Sequence, residues 1–277
     1  MKKIGILGGM SWESSSKYYR QLNEGVRDRL GGLHNARSVM VTVDFEKVER
    51  LQHEERWDEV WHYLAQEAKT LELAGADFLI IACNTAFTLA GAALRERFPE
   101  TDFVGTVPAI KPAAERTASG LISVLATPVT VKRDYTKGLI ESFATHCHAR
   151  LVGSRYLAAL AEDYICGIAV ADSALWAEIA PCFVEEEGRR TDIVVLACTH
   201  YPFLANRFRK LAPWPVDWLN PAEAIAMQAK RVLGPPTVAA DGGPNHDFVI
   251  FTGENLRPET VRLMQGFGLK IAARRAG

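Results

Sequence analysis

The sequence lacks the features that mark membrane-spanning, disulfide-rich and nucleic-acid-binding proteins. None of its apolar runs reaches the roughly 20 residues that a transmembrane helix needs. Its five cysteines are odd in number, and no two of them have C-x-x-C spacing, so neither a disulfide framework nor a structural zinc site is expected. The formal net charge of -1 gives no electrostatic sign of a nucleic-acid or membrane-surface partner. These absences favour a protein that binds no metal and that works in a reducing compartment, the cytoplasm.

The composition is that of an ordinary globular protein, with 48% hydrophobic and 23% charged residues. A chain of 277 residues is long enough for one large domain or two smaller domains, each with its own core. The opening segment MKKIGILGGMSWESSS has only a short apolar stretch, which predicts a first strand and a glycine loop rather than a secretory signal.

Short β-branched runs alternate with longer segments of helical periodicity. This alternation predicts an α/β fold with a parallel sheet covered on both faces. The segments predicted as strands are 3–9, 38–45 and 77–83, and those predicted as helices are 15–30, 57–75 and 85–98.

The second half of the chain repeats the first. LIIACNTAF at 79–87 resembles VVLACTHYPF at 194–203, and the shift that takes Cys83 to Cys198 also takes Asp77 to Asp192 and Asp102 to Asp217. The repeat predicts two pseudo-symmetric, doubly wound parallel-sheet domains. We expect residues 1–103 with 212–277 to form the first domain and 104–211 the second. Segment 233–247 is predicted as a surface loop, and 249–271 as a strand, a capped helix and a short end.

The matched cysteines indicate chemistry rather than packing. Each follows a predicted strand and precedes a predicted helix, a place where ligands bind and where helix N-termini stabilise a thiolate. Two thiols flanking one carbon could remove a proton from one face and return a proton to the other. A single free cysteine is more often a buried core thiol, and that is the interpretation for Cys147, Cys166 and Cys182.

The segments ACNTA at 82–86 and CTHYPFL at 198–204 resemble the two cysteine motifs of the aspartate/glutamate racemase superfamily, and the resemblance covers nearly the whole chain. The N-terminal third is more similar to aspartate racemases, and the later part to glutamate racemases. Glutamate racemases carry Asp-Ser-Gly where this chain has Gly8, Gly9 and Met10, and a glycine where it has Val129. The resemblance implies two α/β domains with the site between them, and catalysis without pyridoxal phosphate, metal or any other cofactor.

The same resemblance implies roles for individual residues. Cys83 and Cys198 would be the two acid/base groups, assisted by His200 and its partner Glu162. Serine and threonine at strand-to-helix turns also serve as ordinary helix caps, and a glutamate on a helix is commonly a solvated surface residue, so both alternatives stay open. The residues expected to bind substrate are Met10, Ser11, Asn84, Thr85, Thr127, Thr130 and Thr199.

The predicted function is a racemase for an acidic amino acid, aspartate and/or glutamate. Recognition of the distal carboxylate needs a cation, and Arg37, Lys132 and Arg133 are all candidates. Another carbanion-type racemase or isomerase of the superfamily, of the hydantoin or maleate type, and a non-catalytic small-molecule-binding relative are the alternatives. The expected partner is a small amino-acid substrate, with neither nucleic acid nor membrane, and a homodimer is an open alternative to a monomer.

Overall fold

The structure is a computed structural model that describes residues 2–31, 33–165 and 167–221, the positions 225, 228, 229, 231 and 232, and the segments 248–251 and 269–272. The chain divides into two compact units, Met1–Thr106 with Ile225–Gly277, and Val107–Ala224. Cys166, the surface loop predicted at 233–247 and the helix predicted within 249–271 lie outside the described residues.

Strands and helices alternate along both units. The strands are β1 (Ile4–Gly8), β2 (Ser38–Thr42), β3 (Phe78–Ile81), β4 (Asp102–Gly105), β5 (Leu121–Ala126), β6 (His148–Gly153), β7 (Glu185–Glu186), β8 (Arg189–Arg190), β9 (Ile193–Leu196), β10 (Asp217–Leu219), β11 (Phe248–Phe251) and β12 (Lys270–Ala272). The helices are α1 (Trp12–Leu30), α2 (Phe45–His53), α3 (Trp57–Leu73), α4 (Asn84–Arg97), α5 (Ile110–Arg116), α6 (Pro128–Lys132), α7 (Asp134–Phe143), α8 (Leu157–Ile165), α9 (Asp172–Ile179) and α10 (Ala205–Leu211). Two 3-10 helices lie at Ala180–Cys182 and Tyr201–Leu204.

The first unit is built on a six-stranded parallel sheet in the order β12-β11-β2-β1-β3-β4. Every residue of β1, β2 and β3 is buried, as expected for strands covered on both faces. The three predicted strands and three predicted helices of this unit are confirmed. Helix α2 was not predicted, because it has only nine residues and buries only Val48 and Leu51.

The second unit is built on a four-stranded parallel sheet in the order β10-β9-β5-β6. Its order matches β4-β3-β1-β2 of the first sheet, so strand for strand the two units share one topology. The shift that relates the cysteines takes β3 at Phe78–Ile81 onto β9 at Ile193–Leu196. The predicted α/β class with two parallel-sheet domains is therefore confirmed. The small β7–β8 pair is an antiparallel hairpin outside this sheet.

The boundaries between the units differ from the prediction. Residues 104–106 were expected in the second domain but belong to the first unit, where β4 pairs with β3. Residues 212–224 were expected in the first domain, but they belong to the second unit. The reason is that β10 pairs in parallel with β9, with Asp217 opposite Ile193, and that Trp218 is buried in a core cluster with Phe208. Among the described residues, none of the helices is long and apolar enough to cross a membrane.

Asp192 joins two segments of the second unit just before β9. One carboxylate oxygen accepts a hydrogen bond from the Thr117 hydroxyl at 2.7 Å, and the other accepts from the backbone N–H groups of Ala118 at 2.7 Å and Ser119 at 2.9 Å. Burial alone would raise the pKa of Asp192, but these hydrogen bonds outweigh it and lower the pKa below its ordinary value.

We expect Asp192→Asn to lower the free energy of unfolding by about 1–3 kcal/mol at pH 7, because it removes a charged acceptor of three hydrogen bonds. A group with a lowered pKa stabilises the protein above its ordinary pKa of about 3.9, and this contribution is lost as the pH falls through the folded-state value. Urea unfolding at several pH values should thus show the wild-type advantage shrinking below about pH 4. Asp134→Asn, at an exposed ion pair with Lys137, is the control and should change little.

Candidate active site

Cys83 and Cys198 occupy the same position in their respective units. Cys83 comes two residues after the end of β3, and Cys198 two residues after the end of β9. Both lie at the carboxyl end of a central parallel strand, where α/β proteins bind their ligands. The two side chains are 9% and 7% exposed, which leaves each thiol nearly but not fully enclosed.

Cys83 is the N-cap residue of α4. Its backbone is extended, and its sulfur accepts a hydrogen bond from the N–H of Ala86 at 3.5 Å. The helix N-terminus thus directs backbone donors and the positive end of its dipole at the thiol, an arrangement that favours a thiolate. The helix predicted to start directly after this cysteine is confirmed.

Asn84, the first residue of α4, has a buried side-chain amide whose hydrogen-bonding groups are unpaired among the described residues. The residue is 1% exposed, and among the described residues neither its side-chain nitrogen nor its side-chain oxygen has a hydrogen-bond partner. A buried amide left unpaired costs free energy, so its persistence beside Cys83 favours a polar ligand as the missing partner. Thr85 follows it and is also buried.

A tight glycine turn joins β1 to α1 in the first unit. Gly9 has φ +96°, and a Cβ atom there would lie 2.5 Å from the backbone N and O of Val43, so only glycine fits. Ser11 caps α1, its hydroxyl accepting from the N–H of Ser14 at 3.5 Å, and both Met10 and Ser11 are buried. The capping role of Ser11 is thus observed, and its substrate-binding role stays a prediction.

The segment after Cys198 differs from the one after Cys83. The sequence predicted a helix start directly after each cysteine, but Cys198 is followed by a 3-10 helix at Tyr201–Leu204, and α10 begins only at Ala205. Pro202 lies at the start of the 3-10 helix and has no N–H to donate, which favours this tighter first turn. The expectation of an α-helix N-terminus at the second cysteine was wrong.

Instead, Cys198 has an imidazole beside it. Nδ1 of His200 lies 3.5 Å from the Cys198 sulfur, and Nε2 lies 2.8 Å from Oε1 of Glu162 on α8. His200 is 3% exposed, and the Glu162 side chain is 26% exposed. Glu162 is thus not a solvated surface residue. The Cys198 thiol, the His200 imidazole and the Glu162 carboxylate form a continuous row of contacts, the Cys198–His200–Glu162 row.

The charges in the Cys198–His200–Glu162 row favour a protonated imidazole. Burial, the strongest influence, lowers the pKa of His200, but the neighbouring Cys198 sulfur and Glu162 carboxylate outweigh it and raise the pKa to about 10. An imidazolium beside a sulfur stabilises the thiolate form of that sulfur. At the second cysteine, the charge of His200 supplies what the α4 N-terminus supplies at Cys83.

The remaining predicted residues lie at turns of both units. Thr127 caps α6, accepting from the N–H of Thr130 at 3.4 Å, and the two hydroxyls are 3.0 Å apart. Thr130 and Thr199 are buried. Of the three candidate cations, Lys132 is exposed, while Arg37 and Arg133 are half-buried.

Sequence reasoning missed two buried hydroxyl groups near the Cys198–His200–Glu162 row. Ser154 and Tyr201 are both buried, and the Ser154 hydroxyl donates to the Glu178 carboxylate. Tyr201 stands in the CTHYPFL segment, three residues after Cys198. The sequence gives no signal for the Ser154–Glu178 contact, because Ser154 follows a strand and Glu178 lies on a helix more than 20 residues later.

The comparisons with known proteins agree with this fold. The family model described as Asp/Glu/Hydantoin racemase matches residues 7–229. A glutamate racemase from Agrobacterium fabrum is 65% identical over 194 residues, which cover 70% of this chain and 71% of that protein. A glutamate racemase from Brucella anthropi is 54% identical over 219 residues, which cover 76% and 79% of the two chains.

Solved structures show the same architecture. The crystal structure of Escherichia coli glutamate racemase with L-glutamate and the activator UDP-MurNAc-ala is 26% identical, covers 98% of this chain and 97% of its own, and has a TM-score of 0.77. Glutamate racemase from Francisella tularensis, with D-glutamate, has a TM-score of 0.75 over 100% and 97% of the chains at 14% identity, and so supports the fold alone. Fold and sequence together define an isomerase, an amino-acid racemase. The chain belongs to the Asp/Glu/Hydantoin racemase family.

We expect Asn84→Ala to leave the free energy of unfolding within about 1 kcal/mol of wild type, because the loss of packing is offset by removal of an unsatisfied amide. The matched control is Asn23→Ala. Asn23 is also buried in the first unit, but its amide donates to Tyr19 O at 2.9 Å and accepts from Ala36 N at 2.9 Å. Urea unfolding should show Asn23→Ala to be the more destabilised variant by about 1–2 kcal/mol. Equal losses would mean that the Asn84 amide has an internal partner.

We expect Glu162→Gln to lower the pKa of His200 by at least about one pH unit, because it removes one of the two groups that hold the proton on the ring. NMR titration of the His200 imidazole measures this directly. Since the folded-state pKa is raised to about 10, the stabilising contribution is complete below the ordinary value and is lost as the pH rises toward 10. Glu186→Gln, at an exposed pair with His148, is the control and should leave the His200 titration unchanged.

Proposed function

We propose that the protein is a glutamate racemase that interconverts L- and D-glutamate without a cofactor. The support comes from the glutamate racemases of Agrobacterium fabrum and Brucella anthropi, which are 65% and 54% identical to this chain. Aspartate, the other substrate expected from the sequence, gains no support from these relatives. The cytoplasmic location and the homodimer stay predictions.

The observation that carries the mechanism is the pair of thiols at equivalent strand ends of two topologically equivalent sheets. In the proposed reaction, one thiolate removes the α-proton, the C–H bond breaks, and its electron pair remains on the α-carbon next to the carboxylate. The opposite thiol then donates its proton to the other face of that carbon. One thiol and one thiolate are present before and after, with their roles exchanged, so the reverse reaction uses the same groups.

The environments of the two thiols support this assignment. Cys83 caps α4, and Cys198 contacts His200, so each sulfur has a local positive potential that stabilises its thiolate. Glu162 keeps His200 protonated beside Cys198. The second thiol therefore has an adjacent imidazolium that can supply a proton.

We assign substrate binding to the residues for which the family resemblance implies it. The unpaired amide of Asn84 is the strongest of them, because an α-carboxylate or ammonium group would complete its hydrogen bonds. The other residues assigned to the α-carboxylate and ammonium are Met10, Ser11, Thr85, Thr127, Thr130 and Thr199.

The test is solvent exchange at the α-carbon. Wild-type protein incubated in D₂O with L-glutamate should replace the α-proton with deuterium, followed by NMR, and should produce D-glutamate, followed by circular dichroism. L-Aspartate, tested in parallel, should react more slowly. Cys83→Ser and Cys198→Ser should each reduce racemisation by about 10²–10⁴-fold, the range for loss of a positioned acid or base.

Cys147→Ser is the matched control, since Cys147 is a partly exposed free thiol of the second unit with no assigned role. It should racemise at the wild-type rate. Unchanged activity in either Cys83→Ser or Cys198→Ser would rule out the two-base mechanism. Binding of glutamate without any α-proton exchange would instead indicate a non-catalytic relative.

A further inference from the structure

Ser154 lies where three segments of the second unit meet. It directly follows β6, is 4% exposed, and donates its backbone N–H to the carbonyl of Ala126, the last residue of β5, at 2.9 Å. This bond continues the β5–β6 pairing one residue beyond the strands. The position of the Ser154 side chain is therefore fixed by the sheet.

The Ser154 hydroxyl uses both its donor and its acceptor capacity. It accepts a hydrogen bond from the N–H of Leu157, the first residue of α8, at 3.0 Å, and it donates to Oε2 of Glu178 on α9. A hydroxyl that accepts from the N–H three residues later satisfies one of the open donors of a helix N-terminus. The Glu178 carboxylate, close to that N-terminus, adds a negative charge that the helix dipole favours.

Helix α8 carries the carboxylate that contacts His200. On the core side of the helix, Leu157 and Ala161 are fully buried, in the same cluster as Cys198 and Tyr201. The next residue after Ala161 is Glu162. Ser154 fixes one end of α8, and the core packs against one face of it. Together they fix the position of the Glu162 carboxylate beside His200.

Tyr201 completes the surroundings of this arrangement. Its side chain is fully buried, and its N–H donates to the Cys198 carbonyl at 3.2 Å. Burial raises the pKa of Tyr201, as do the nearby charges of Cys198 and Glu178, while the Ser154 hydroxyl opposes the shift. The Ser154–Glu178 pair therefore lies beside Tyr201, three residues after Cys198.

We propose that Ser154 and Glu178 are positioning residues for the racemase reaction: by fixing the N-terminus of α8, they hold Glu162 against His200 and thereby His200 against Cys198. This inference rests on the proposed function for its catalytic consequence. Its structural content, the coupling of Ser154 to the His200–Glu162 pair, can be measured in protein without substrate.

The test compares Ser154→Ala with Ser123→Ala. Ser123 is a fully buried serine of β5 in the same unit, and its hydroxyl donates to the Cys182 carbonyl at 2.7 Å, so its loss removes a buried hydrogen bond without affecting α8. Glu178→Gln is the second variant, for use if Ser154→Ala does not fold, because it keeps an acceptor oxygen but removes the charge.

The first readout is the NMR titration of His200 without substrate. Among the described residues, the titratable groups facing His200 are Cys198 in its own loop and Glu162 on α8, and Tyr201 next to it faces Cys198, Cys182 and Glu178. Ser154→Ala should lower the pKa of His200, Glu178→Gln should do so to a smaller extent, and Ser123→Ala should not. A His200 titration that is the same in Ser154→Ala and wild type would overturn the proposal, whether or not the protein racemises glutamate.

The second readout is kinetic. Ser154→Ala should lower kcat for glutamate roughly three- to tenfold, the effect that corresponds to loss of a helix cap, with KM nearly unchanged. Combined with Glu162→Gln, it should lower kcat by less than about twofold more, because residues that act through one group are not additive. Full additivity of the two substitutions would contradict the positioning role. Absence of racemisation in wild type would refute the proposed function alone.

Discussion

Parallel pairing of β1 with β3 and of β5 with β9 is the constraint on which the rest of the structure depends. In a parallel sheet all carboxyl ends lie along one edge, so the loops that follow the central strands must emerge side by side. The glycine turn after β1 and the Cys83 turn after β3 share one such edge, as do the Thr127 turn and the Cys198 turn. The recurrence of this pairing in both units makes the two cysteines equivalent in their folds.

Within that common frame the two thiols are stabilised by different means. Cys83 relies on backbone donors and the dipole of a 14-residue helix, whereas Cys198 relies on a buried side-chain charge. A helix dipole does not titrate, but an imidazolium does. A buried imidazolium is also costly unless it is paired, so the surroundings of Cys198 depend on Glu162 and on the segments that hold it.

Much of this could be predicted from the sequence. Periodicity gave the main strands and helices, and the internal repeat gave the two-unit topology and the equivalence of Cys83 and Cys198. The failures have physical causes. Helix α2 is short and has only two buried residues. Pro202 replaces the expected helix start with a 3-10 turn, and β10 belongs to the second sheet through strand pairing that hydrophobic patterns do not specify. The Ser154–Glu178 contact joins residues from different elements, and no local pattern encodes it.

The unpaired amide of Asn84 has a consequence for how such a protein responds to selection or design. A method that ranks substitutions by folded-state energy alone would replace this residue with an apolar one, since nothing inside the protein rewards its hydrogen-bonding groups. Computational stabilisation, and selection for thermal stability alone, would therefore tend to replace Asn84 early. A position that such methods consistently change, although it is buried and polar, is therefore a candidate for a role other than stability.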